Sequence, residues 1–156
     1  MLSLAASYQV LNPGTDSDLG IRFLRSLEAD GSIRSAEEKA LRGLQSAANA
    51  CVSDPRSRLT GLRCIALLAQ QSSDEFFNAN SKSWTTTAAQ QLKRSERPVI
   101  LAEACSVLSA LLRRSPNFPD ASRHFSSIAP NLITNLVNCA EISNATPRYF
   151  PSSPFL

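Results

Sequence analysis

One histidine, His124, four cysteines and five glycines bound the chemistry open to this chain. A Ser or Cys nucleophile needs a base within hydrogen-bond reach, and a histidine-based metal centre needs several imidazoles, so a single histidine supports neither. His124 lies between Arg123 and Phe125 in a proline-bounded stretch, read as a turn in which the imidazole caps or faces solvent. Cys51, Cys64, Cys105 and Cys139 form none of the close pairs used by tetrahedral zinc sites, and each falls among apolar positions of a helical pattern. They are expected to be reduced, buried thiols in a reducing compartment, packing as small hydrophobes. Gly14, Gly20, Gly31, Gly43 and Gly61 match no phosphate-cradling loop. The expectation is no enzyme: no catalytic residue, no cofactor and no metal.

Two patterns point to binding. Leu108-Ser109-Ala110-Leu111-Leu112 has the LxxLL spacing, in which Leu108, Leu111 and Leu112 share one helical face and insert into a partner's hydrophobic groove. The same leucines form the strongest core stripe of the chain, and a side chain cannot fill its own core and a partner's groove without local opening. Arg56, Arg58, Arg63, Arg113 and Arg114 have the right chemistry for phosphates, but the net charge is only +3 and no basic run concentrates it. A solvated helical face is the plainer reading, with direct RNA contact as a secondary idea.

The elements that hold these residues are helices. A chain of 156 residues, 43% hydrophobic and 19% charged, fits one domain with its own core. No stretch is apolar enough to cross a bilayer, and MLSLAASYQVLNPG lacks the basic start of a secretory signal, so a soluble intracellular protein without membrane contact is expected. Leu19, Phe23, Leu24 and Leu27 predict a first helix ending near Asp30-Gly31, and Ser35 with Glu38 reads as a capping box for a second through Leu41, Leu44, Ala48 and Cys51. Asp54-Pro55 reads as the start of a third, carrying Leu59, Leu62, Ile65, Ala66 and Ala69. Ser72 to Asp74 opens a fourth through Phe76, Phe77, Trp84, Ala88 and Leu92, with a break expected between Ser81 and Thr87. Pro98 opens a fifth over Leu101, Ala104, Cys105, Leu108, Leu111 and Leu112. Pro130 is read as the start of a last one with Leu132, Ile133, Leu136, Val137 and Ala140.

Ala66-Leu67-Leu68 and Ala110-Leu111-Leu112 stand 44 residues apart, and Leu92 and Leu136 share that offset, which is the period of armadillo and HEAT repeats. The fold class predicted is all-α, an armadillo/HEAT-like α-solenoid of about six to eight helices. Residues 1–15 are expected to be a flexible N-terminus, 16–142 the helical-repeat domain, and 143–156 a disordered Pro/Ser-rich tail. The expected structural core includes Leu62, Ile65, Trp84, Leu101, Leu132 and Leu136, alongside the leucines of the LxxLL.

The order SRLTGLRCIALL, SSDEFF, a lone Trp84 in SKSW, ACSVLSALLRR and PNLITNLV resembles the amino-terminal domain of the proline-, glutamic acid- and leucine-rich protein family, whose fungal counterpart is the Rix-type pre-rRNA-processing subunit. The resemblance spans about Leu44 to Cys139. It implies a non-catalytic scaffold for large-subunit maturation in the nucleolus and nucleoplasm, with a WD-repeat subunit, a second helical-repeat subunit and pre-60S particles as partners. It also implies an alternative, a coregulator of nuclear receptors acting through Leu108, Leu111 and Leu112. The later repeats and acidic tail of the family are not seen after about Ala140, so the sequence reads as a fragment or short isoform.

Overall fold

The structure, a computed structural model, describes residues 11, 17–94 and 97–145. Among them are six α-helices and no strand: α1 Ser17–Asp30, α2 Glu38–Ser53, α3 Arg58–Gln71, α4 Asp74–Arg94, α5 Pro98–Arg114 and α6 Pro119–Ala145, with a 3-10 turn at Ser115–Asn117 between the last two. The all-helical, solenoid-like class predicted from the sequence is the class observed.

Helix ends follow local chemistry, though not always where the sequence suggested. α1 stops where Gly31 takes φ +63, a left-handed conformation that glycine adopts without strain. The Ser35/Glu38 capping box does not form. Ser35 Oγ donates instead to Ser32 O at 3.4 Å, inside the preceding turn, and the N-cap position falls on Glu37. Asp54 likewise caps a turn and not a helix: its Oδ1 accepts the Arg56 N–H at 2.9 Å, and α3 begins only at Arg58. This turn serves α2, whose last carbonyls would otherwise lack donors. Ser57 Oγ donates to Cys51 O at 2.9 Å and Arg58 Nε to Val52 O at 2.9 Å.

α4 is continuous across the interval expected to break it. Thr85 Oγ1 donates to Ser81 O at 2.7 Å and Thr86 Oγ1 to Lys82 O at 2.9 Å, so the hydroxyls bond back onto their own helix instead of opening it. Ser73 caps its start, accepting the Phe76 N–H at 3.3 Å, and acidic residues lead while Lys93 and Arg94 close, as the helix dipole favours. Pro130 does not start a helix; it lies inside α6. A buried proline would be costly there. Pro130 is exposed, however, and the helix on both sides is held by Ala121, Phe125, Ile128 and Leu132 packing on the core.

The helices stack in two layers. α1, α3 and α5 lie side by side, while α6 packs on α4 and α2 on α3, so the α3/α4 pair carries the α5/α6 pair in the manner the 44-residue offset implies. α3 is central. It buries Thr60, Gly61, Leu62 and every residue from Cys64 to Ala69, which explains why its apolar residues show no clean stripe. Leu62, Ile65, Trp84, Leu101 and Leu132 are buried with them. Leu136 is not: it is 40% exposed, because α6 is the last described helix and nothing described packs beyond it. Leu11 departs from the expectation of a flexible residue 1–15 segment. It is buried in the core, and Cys51 Sγ donates to its carbonyl at 3.4 Å. α6 also runs to Ala145, past the expected boundary at 142/143; the expected disorder of 146–156 and of the remaining N-terminal residues lies outside the described residues.

Gly61 marks the closest approach of α2 and α3. A Cβ built there would sit 2.7 Å from Ala48 O, from the Val52 backbone N and from Val52 Cγ2, and two of those atoms are backbone that cannot swing aside. Gly61→Ala should therefore destabilise by about 1–3 kcal/mol through overpacking, against the usual gain of Ala over Gly in a helix. Urea denaturation of the variant checks this; a stabilised variant would contradict the packing described.

Candidate interaction surface

The LxxLL leucines diverge in the structure. Leu108 is buried and Leu111 is 1% exposed, whereas Leu112 is 55% exposed. One helix face cannot present all three while α5 stays packed, since Leu108 and Leu111 are buried in the core. Leu112 instead joins Ile133, Leu136 and Val137 as the exposed large hydrophobics at the α5/α6 end of the stack. Cys105, Leu108, Leu112, Phe125, Leu132 and Ile133 line an open apolar groove of about 370 Å³ there.

Arginines expected on a solvated or phosphate-facing surface are mostly occupied within the fold. Arg58 caps α2, Arg63 Nε pairs with Glu103 Oε2 at 3.2 Å between α3 and α5, and Arg56 Nε stands 3.7 Å from Asp54 Oδ1. Arg114 is the most engaged. Its Nη1 donates to Ala69 O at 3.0 Å, its Nη2 to Ser72 O at 2.7 Å and to Asp74 Oδ1 at 2.9 Å, and the guanidinium lies 4.5 Å from the centre of the Phe77 ring. It thus caps the C-terminus of α3 from the end of α5 and pins the junction to α4. The sequence suggested a solvated helical face for this residue; its partners lie 40–45 residues away, and no local pattern encodes them. Arg114→Ala leaves Ala69 O and Ser72 O without these charged donors and should cost about 2–4 kcal/mol, with Arg114→Lys recovering only part, because an ammonium cannot fork across three acceptors. Equal stability of the wild type and both variants by urea denaturation would contradict the clamp.

A second, polar cleft of about 430 Å³ opens between α2 and α4, where Arg42, Gln45, Ser46 and Asn49 face Glu75 and Asn80. Its floor is fixed by a side-chain relay: Trp84 Nε1 donates to Gln45 Oε1 at 2.6 Å and Gln45 Nε2 to Asn80 Oδ1 at 3.4 Å. Gln45 was not foreseen. A buried indole N–H requires an acceptor, but which residue supplies it depends on the fold.

The cysteines split. Cys51 and Cys64 are buried, and burial pushes both thiols up, away from the reactive thiolate. Cys105, expected in the core, is exposed on the outer side of α5, while Cys139 is half-buried with Sγ donating to Leu92 O at 3.4 Å. Partial desolvation and the nearby Cys139 push the Cys105 thiol up as well. His124 is half-buried within α6, not in a turn, and its Nε2 is buried without a hydrogen-bond partner. Among the described residues no three His, Cys, Asp or Glu side chains gather as a metal site, and no helix is long and apolar enough to cross a membrane.

Comparison with known proteins follows the same lines. The family model RIX1, described by rRNA processing and ribosome biogenesis, matches residues 6–152. The chain is 30% identical over 116 residues, 73% of its length, to proline-, glutamic acid- and leucine-rich protein 1 of Xenopus laevis. It spans only 12% of that relative. No solved structure matches it.

Proposed function

We propose, from the premise that this chain belongs to the RIX1 family of rRNA processing and ribosome biogenesis, that it is a non-catalytic helical scaffold of a nuclear assembly acting on large-subunit precursors. The family match over residues 6–152 carries the reading. The all-helical stack fits a scaffold, with Ser57, Arg58, Gln45 and Arg114 serving helix caps and inter-helix bonds that hold its shape. What the stack offers to other molecules is shape. On this reading the repeat domain of about residues 16–142 contacts a WD-repeat subunit and a second helical-repeat subunit, and reaches pre-60S particles in the nucleolus and nucleoplasm through them. Direct RNA contact would rest on Arg113 and Arg56, the most weakly engaged of the candidate arginines, and two side chains make a shallow salt dependence.

The test is the RNA. Cells lacking this chain should accumulate precursors that retain the second internal transcribed spacer, and re-expression should restore their processing. Unchanged precursor levels on loss would overturn the reading. The coregulator alternative needs Leu108, Leu111 and Leu112 on one accessible face, and only Leu112 is accessible in the packed helix.

A further inference from the structure

Positive charge is scattered along the sequence, but the fold gathers part of it at one edge. The connection from α2 to α3 carries Arg56 and leads into Arg58, while α4 ends on Lys93 and Arg94 shortly before Arg97 precedes α5. The two stretches meet where Arg97 Nη1 donates to Pro55 O at 3.3 Å, across 42 residues of sequence. Arg94 lies three residues from Arg97, a reach of at most about 11 Å. That is close to the roughly 10 Å over which exposed charges act on one another at 0.1 M salt.

Little at this edge neutralises the cations. Arg56, Lys93 and Arg94 are exposed, and among the described residues no carboxylate pairs with Arg58, Lys93 or Arg94. The bonds from Arg58 Nε to Val52 O and from Arg97 Nη1 to Pro55 O go to neutral carbonyls, which hold a guanidinium in place without cancelling its charge. Arg56 meets Asp54 at a loose 3.7 Å. Counting the sequence neighbours Asp54 and Glu96 against the five cations leaves a surplus of three, which equals the net charge of the whole chain. The remaining basic and acidic residues balance.

We propose that this edge, through Arg56, Arg58, Lys93, Arg94 and Arg97, holds an RNA strand by its phosphates. The inference rests on the reading of the chain as an rRNA-processing protein and steepens its RNA contact, since Arg56 then acts within a group. Four of the five cations are arginines, whose planar fork matches phosphate oxygens. Neither stretch carries an aromatic residue on which a base could stack, so the edge grips backbone and is indifferent to base sequence.

The purified chain is titrated against a labelled single-stranded RNA of about 20 nucleotides, with affinity read by fluorescence anisotropy from about 50 to about 200 mM salt. About four phosphate contacts should weaken binding about fiftyfold over that range. Lys93→Gln/Arg94→Gln removes two of them and should leave only about a sevenfold loss. Arg34→Gln/Lys39→Gln, a pair of exposed cations at the opposite end of α2, changes the net charge equally and should behave as wild type. No RNA binding at the lowest salt would overturn the proposal. Equal effects of the two variant pairs would also overturn it, because attraction would then follow net charge and not this edge. So would displacement of the RNA by poly-glutamate of matched charge at an equal or lower concentration, which would assign the edge to an acidic protein segment. These are binding results on purified protein, and the precursor-processing test of the scaffold reading stands or fails separately.

Discussion

Trp84→Ala should lower the stability of the fold by about 3–5 kcal/mol, the range for removing a fully buried tryptophan. Trp84 has no exposed surface and holds three things at once. Its ring lies 6.0 Å from Phe76 and 6.1 Å from Phe77, the latter edge-on, and its Nε1–H anchors Gln45 on α2. Phe77 in turn stacks 4.9 Å from Phe118, in the link before α6, and lies under the Arg114 guanidinium. The substitution thus opens a cavity in α4 and deprives Gln45 of its donor, while loosening the aromatic group that joins α4 to the α5–α6 connection. A domain of this size is stable by about 5–15 kcal/mol, so the loss consumes a large share. Urea denaturation followed by circular dichroism measures it. Trp84→Phe should recover about half by refilling the cavity without the N–H. A midpoint for Trp84→Ala indistinguishable from wild type would place Trp84 outside the core.

Leu111→Ala and Leu112→Ala, adjacent in sequence and both part of the LxxLL, should differ sharply. Leu111, 1% exposed, should cost about 2–5 kcal/mol, and Leu112, half in solvent, less than about 1 kcal/mol. Leu108→Ala belongs with Leu111, since Leu108 is buried too. This contrast also governs how receptor-binding experiments are read. A binding loss in Leu111→Ala reports unfolding unless the variant's denaturation midpoint is matched, whereas Leu112→Ala leaves the fold intact and tests contact alone. Equal, small losses for both would mean that Leu111 does not lie in the core as described.

The fold was legible where periodicity and period agreed. Leu62, Ile65, Leu101 and Leu108 fall at 3,4 spacing and are buried, and the helices that the 44-residue offset relates, α3 with α5 and α4 with α6, lie in contact. Single-residue punctuation was less reliable, because a cap or a proline sets only a local preference of about 1–3 kcal/mol that tertiary packing can outweigh. Asp54 and Ser35 were good caps spent on turns, and Pro130 sits on a solvent-facing side of α6 where the lost amide bond is tolerated. Exposure was misjudged at the end of the stack for a different reason. Leu136, Leu112 and Cys105 carry the same pattern as buried residues one repeat earlier, and pattern alone does not say whether another layer follows. Arg114 and Gln45 were invisible, since each acts on partners about forty residues away.

The central claim is that these residues work as a scaffold in ribosome biogenesis. Its most direct test is to tag the chain, express it in cells, and quantify co-purifying proteins by mass spectrometry. The account predicts joint enrichment of the WD-repeat subunit, the second helical-repeat subunit and large-subunit precursor proteins, retained by Leu112→Ala. A soluble, monodisperse chain that enriches none of them would contradict it.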